Sequence, residues 1–84
     1  MNNIKELSQI ISKLKNDKEI YRILNELLTE SELNVLSKRW CIVKMLKAGC
    51  TQREIAKELN VSLCKVTRGA KIIKDKNAIV NKFV

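Results

Sequence analysis

The 84-residue chain has no proline and no histidine, and Gly49 and Gly69 are its only glycines. Trp40, Tyr21 and Phe83 are its only aromatic residues. Without histidine there is neither a zinc-finger ligand pattern nor a Cys/His nucleophile pair. With two glycines so far apart, no glycine-rich phosphate loop can form, and no pair of carboxylates converges by spacing, so an enzyme is not expected. Cys41, Cys50 and Cys64 are odd in number and have no ligand spacing; they read as small buried thiols, with no metal expected. No apolar run approaches the roughly 18 residues of a membrane-spanning helix, and no secretory segment opens the chain. A cytoplasmic protein without a membrane partner is the expectation.

What is present is helix-forming sequence and positive charge. Hydrophobic residues make up 45% of the chain and the formal net charge is +8. Residues 1–50 carry nine Lys/Arg against six Asp/Glu, and residues 51–84 carry eight against three, so the excess gathers in the shorter C-terminal part. A chain this short buries only part of its surface and is marginal alone. So generous an apolar supply is most easily hidden between copies. Strand-like alternation is scarce, and the chain reads as one all-α domain, 1–84.

Helix boundaries are well marked. Asn3, with Glu6 three residues on, is placed to cap a first helix carrying the stripe Ile4, Leu7, Ile11 and Leu14. A second helix begins at Asp17, with Ile20, Ile23, Leu24, Leu27 and Leu28 on its apolar face. Thr29/Glu32 and Thr51/Glu54 have the spacing of capping boxes. The third helix, Glu30 to Lys47, is apolar on more than one side, as a helix buried on several sides must be, and so points to a core shared with a second subunit. Gly49 suits the left-handed residue at that helix's end. A short last helix is expected within 75–84.

Thr51 to Lys74 carries the clearest functional signal. Two short amphipathic helices flank Asn60, a residue that tolerates positive φ in a tight turn. Ala56 falls at the crossing point, where a larger side chain would force the helices apart, and Val66 falls where it packs back toward Ile55. Ser62 is placed to cap the second helix. Gln52, Arg53, Leu63, Cys64, Lys65 and Thr67 are left on the outer surface, with Arg68, Lys71 and Lys74 adding charge. That is a helix-turn-helix whose second helix would enter the major groove of double-stranded DNA. The division expected is a dimerisation core over 1–50, the helix-turn-helix over 51–74 and the terminal helix over 75–84.

Over Leu28 to Lys74 the chain resembles the tryptophan repressor family, in Leu28-Thr29-x-x-Glu32, in Arg39 within a long apolar helix, in Gln52-Arg53-Glu54 and in Val66-Thr67-Arg68-Gly69. The resemblance implies an intertwined homodimer of about six short helices per subunit, a palindromic operator as DNA partner, and L-tryptophan as corepressor. Arg39 and Arg68 would then lie on either side of the indole ring, with Arg68 also pairing the carboxylate. Leu28 and Thr29 would come from the facing subunit, and Gly69 would let the ligand approach its helix. On the DNA side Arg53 would fork onto a guanine edge. Thr67 and Lys74 would meet phosphates or the groove edge, with Leu63 and Cys64 at the helix tip. Three positions depart from the family pattern. Ile72 replaces a serine that helps receive the ligand's amino group, Glu26 replaces an apolar residue beside the pocket, and Ala56 replaces a lysine, with Lys65 placed to compensate.

Two other readings fit the same residues. One is a ligand-independent DNA-binding relative in which Ile72 fills the pocket. The other is a helical interaction module whose basic face meets an acidic partner or a membrane surface.

Overall fold

The computed structural model describes residues 2–84. Five α-helices follow one another: α1 (Asn2–Ser12), α2 (Asp17–Leu27), α3 (Glu30–Lys47), α4 (Gln52–Leu59) and α5 (Leu63–Lys74), with a 3-10 turn at Ile79–Lys82. No strand occurs among the described residues. The chain divides into two compact units, Met1–Leu33 and Asn34–Val84.

In the first unit the helices form but bury little. Neither α1 nor α2 has a buried residue among those described. Ile4, Ile10, Tyr21 and Leu27 are exposed. Asn16 caps α2, its carboxamide oxygen accepting from Glu19 N at 2.9 Å. Asn3 does not cap α1, because the helix is already under way at Asn2. Leu14 also falls outside α1. The helix stops at Ser12, and Lys13 N and Leu14 N tighten back onto the carbonyls of Ile10 and Ile11 at 3.0 and 3.1 Å. Helix ends commonly take up such shorter-range bonds when intrahelical partners run out.

The second unit holds the core. Ile42 of α3, Ile55 of α4 and Val66 of α5 are almost fully buried against one another, and Met45, Leu46, Cys50, Ala56, Leu59 and Val61 pack around them. Each of the three aliphatic side chains contributes about 1.5–3 kcal/mol by leaving water. Further along α3 the apolar surface runs out of partners: Val35, Leu36 and Trp40 remain more than two-fifths exposed.

Local chemistry explains the ends of α3 and α4. Thr29 and Glu32 form the expected reciprocal box at the start of α3, with Glu32 N donating to Thr29 Oγ1 at 3.1 Å and Thr29 N donating to Glu32 Oε1 at 2.8 Å. At the far end Gly49 takes φ 97°. Cys50 N then reaches Met45 O at 3.0 Å and Gly49 N reaches Leu46 O at 3.1 Å, the two bonds of a left-handed helix stop. The same pair recurs after α4: Asn60 has φ 53°, Val61 N reaches Ala56 O at 3.0 Å, and Asn60 N reaches Lys57 O at 3.3 Å. Beyond α5 the expected terminal helix is only the four-residue 3-10 turn. The segment 75–84 is too short to offset helix nucleation, and the side chains of Asp75 and Asn81 compete for its backbone groups.

Candidate nucleic-acid interface

The start of α4 is built by Thr51, which accepts from Glu54 N at 3.2 Å while its own N–H donates to Glu54 Oε1 at 3.0 Å. Side-chain and then backbone hydrogen bonding to Thr51 holds the Glu54 carboxyl below the usual range. Glu32 is lowered in the same way, by the backbone and then the side chain of Thr29. Both boxes therefore work best with the glutamate ionised.

Asn60 supplies the turn. Its left-handed backbone redirects the chain within three residues, and Ser62 then accepts from Lys65 N at 3.4 Å to open α5. Ile55 and Val66 clamp the two helices from inside, each with no exposed surface. Ala56 lies at the contact as a half-buried residue. With the inner faces so fixed, Arg53 of α4 and Leu63, Cys64, Lys65, Thr67, Arg68, Lys71 and Lys74 of α5 stand exposed. None of these cations is in an ion pair among the described residues, where the salt bridge found is Arg22–Glu26.

Cys64 is thus not a buried thiol. It occupies the second position of α5 on the outer face, whereas Cys41 and Cys50 are half-buried. Gln52 also behaves differently from a free surface side chain. It is half-buried, and its carboxamide lies 3.1 Å from the Thr67 hydroxyl, which is itself 3.0 Å from Leu63 O. A hydroxyl has one proton, so it cannot donate to both oxygens. Turning the carboxamide over lets Gln52 donate to Thr67 while Thr67 donates to Leu63. Two expected DNA contacts are therefore tied together across the seam between α4 and α5, which no spacing rule in the sequence signals.

A family model described as Trp repressor protein matches residues 2–84. The chain belongs to the Trp repressor family. It is 38% identical over 72 residues to a Trp operon repressor homolog of Xylella fastidiosa, covering 84% of this chain and 78% of that one. A Trp operon repressor homolog of Chlamydia caviae is 36% identical over 76 residues, covering 89% and 72%. The fold matches a crystal structure of a candidate Trp repressor from Staphylococcus aureus with a TM-score of 0.83 at 28% identity, over 99% of this chain and 83% of the other. Membership makes the chain a DNA-binding transcription regulator of a family of regulators rather than enzymes. No helix among the described residues is long and apolar enough to cross a membrane.

For a Trp repressor relative, the face of α5 leading away from the turn is the other part of interest. An open groove of about 840 Å³ runs along it, lined by Cys64, Thr67, Arg68, Lys71 and Ile72 and, beyond the helix, by Asp75 and Ala78. Of Leu28, Thr29, Arg39, Arg68 and Gly69, it is Arg68 that lines this groove, together with Ile72. Arg39 is half-buried on α3 and is not part of the lining. Gly69 is buried on the side of α5 that meets α3: a Cβ there would stand 2.6 Å from Ile42 Cγ2 and 3.5 Å from Leu46 Cδ1. The close approach of the two helices accounts for a glycine in mid-helix, where it otherwise costs about 1 kcal/mol against alanine. Leu28 is half-buried and Thr29 exposed in the first unit, and Glu26 there pairs with Arg22 at 3.2 Å.

Proposed function

We propose that this chain is a cytoplasmic, homodimeric repressor that binds a two-fold operator and takes L-tryptophan as corepressor. The observation that carries the DNA part is the helix-turn-helix itself, whose locked inner face leaves Arg53, Lys65, Thr67 and Lys74 exposed. In this reading Arg53 forks onto a guanine O6/N7 edge and Leu63 and Cys64 meet base edges at the groove floor. Lys74 and the Gln52–Thr67 pair hold phosphates, which position the protein without reading sequence. Lys65 supplies a further cation at the groove.

Homodimer formation is supported by the apolar residues left uncovered on α3, Val35, Leu36 and Trp40. A second copy is the simplest cover for a helix of this composition. Two heads then address half-sites about one helical turn apart. The corepressor would be held between Arg39 and Arg68, with Leu28 and Thr29 supplied by the second copy and Gly69 keeping α5 close to α3.

One observation favours a second reading. Ile72 lines the groove beside Arg68, with no hydroxyl to receive an amino group. A ligand-independent repressor is the natural alternative. In vitro selection of duplexes with and without L-tryptophan separates the two. A preferred palindrome whose affinity rises with tryptophan supports the corepressor. The same palindrome bound equally in both conditions removes the corepressor and leaves the operator; no preferred duplex refutes the DNA reading.

A further inference from the structure

The recognition helix α5 ends differently from α3 and α4. Those helices close on a left-handed residue, Gly49 or Asn60, that lets the following N–H groups satisfy the last carbonyls. Asp75, the residue after α5, is extended at φ −77°, ψ 106°, and only its own N–H turns back, to Ile72 O at 3.3 Å. The remaining carbonyls need donors from elsewhere. Asn81 supplies one of them: its carboxamide nitrogen lies 3.2 Å from Ile73 O, and also 2.9 Å from Asp75 O just beyond the helix. Its oxygen meanwhile lies 3.5 Å from Lys47 Nζ, in the last turn of α3.

The loop that brings Asn81 there is itself tied down. Asn77 N donates to Asp75 Oδ1 at 3.0 Å, Ala78 N to Asp75 O at 3.0 Å, and Asn81 N to Ala78 O at 3.1 Å. A carboxamide is well suited to this place, since it donates two protons to carbonyls and accepts from an ammonium at the same time. An aspartate would set a carboxylate against two carbonyl oxygens, and an alanine would leave them to water.

We infer that Asn81 is a positioning residue for DNA binding: it clips the C-terminal end of the recognition helix to the terminal 3-10 turn and to α3, and so fixes where Lys74 stands against the DNA backbone. Lys74 is the last residue of α5, one residue from both clipped carbonyls. The inference rests on Lys74 contacting a phosphate, as proposed above.

The test is a double-mutant cycle on a selected operator, measured well below the unfolding midpoint. Lys74→Ala is expected to weaken binding and to lower the salt slope by about one contact. Asn81→Ala and Asn81→Asp should each weaken binding about three- to tenfold, the loss of one or two modest hydrogen bonds, and should flatten the salt slope in the same way. Combined with Lys74→Ala they should add little. An inert Lys74→Ala overturns both the phosphate contact and this inference. An inert Asn81→Ala beside an active Lys74→Ala overturns the positioning role alone, as does a double variant whose loss is the product of the single losses. A readout on the unmutated protein guards against misfolded variants. The Asn81 side-chain amide protons should exchange slowly by NMR, and exchange at the rate of free carboxamides would equally sink the idea.

Discussion

Replacing Gly69 with alanine tests whether this glycine is required by the contact between α5 and α3. Three contributions bear on the outcome. Helix propensity favours alanine by about 1 kcal/mol. A buried methyl group would add up to about 0.8 kcal/mol if it had room. It has none: the new Cβ would stand 2.6 Å from Ile42 Cγ2, and Ile42 is 2% exposed. That methyl is attached at the β-carbon of a helical isoleucine, whose χ1 is nearly confined to one rotamer, so it cannot swing aside. Overpacking of this kind costs about 1–3 kcal/mol. With no room for favourable methyl burial, the net expectation is a loss of up to about 2 kcal/mol, which for a chain of this size lowers the melting temperature by up to about 16 °C. Urea unfolding followed by far-UV circular dichroism, at fixed protein concentration and without ligand, measures it directly. Ile42→Leu provides the control, because it moves the branch one carbon outward at nearly constant volume and at a cost below about 1.5 kcal/mol. In that background Gly69→Ala should be neutral or stabilising, giving a coupling of at least about 1 kcal/mol. A single Gly69→Ala variant that gains about 1 kcal/mol would refute the packing argument outright.

Other expectations follow from the same geometry. Arg53→Ala should relax preference at one base pair of a selected operator by about 1–3 kcal/mol, read as the ratio of affinities for cognate and substituted duplexes; an unchanged ratio would remove Arg53 from base reading. Asn60→Gly should be tolerated and Asn60→Ala should lose about 1 kcal/mol, because the backbone there sits at φ 53° where a Cβ without a local polar partner is strained; thermal unfolding of the pair decides. The lowered carboxyls of Glu32 and Glu54 contribute stability that is present above the unfolded-state value of about 4.3 and is lost as pH falls through their folded-state values. The doubly substituted Glu32→Gln, Glu54→Gln protein should therefore show a flatter acid limb below about pH 4.5 than the parent, with the parent the more stable at neutral pH. Coincident acid limbs would show that the boxes do not depend on charge.

The helix boxes, the left-handed stops and the capping serine were all legible in the sequence, because each is a bargain between residues three to five apart. Thr29 with Glu32, Thr51 with Glu54, Gly49, Asn60 and Ser62 carry their partners close by in the chain. Val66 and Ile55 were legible for a related reason: helical periodicity and the spacing across a three-residue turn leave one inward face on each helix. The limits of α1 and of the terminal helix were not, since Asn3 and Leu14 fit a helical spacing that does not show where the backbone bonds begin and stop.

What only the tertiary structure decided are pairings at long separation. Gly69 could have faced a ligand or a neighbouring helix by sequence alone, and it is the position of Ile42, 27 residues earlier, that puts it against α3. Gln52 and Thr67 are each plausible surface groups until α4 and α5 are docked, at which point they spend part of their hydrogen-bonding capacity on each other. Asn81 has no motif at all; its importance appears only when three chain segments converge on one carboxamide. Local sequence determines which backbone groups lack partners, and the packed fold determines which distant side chain reaches them.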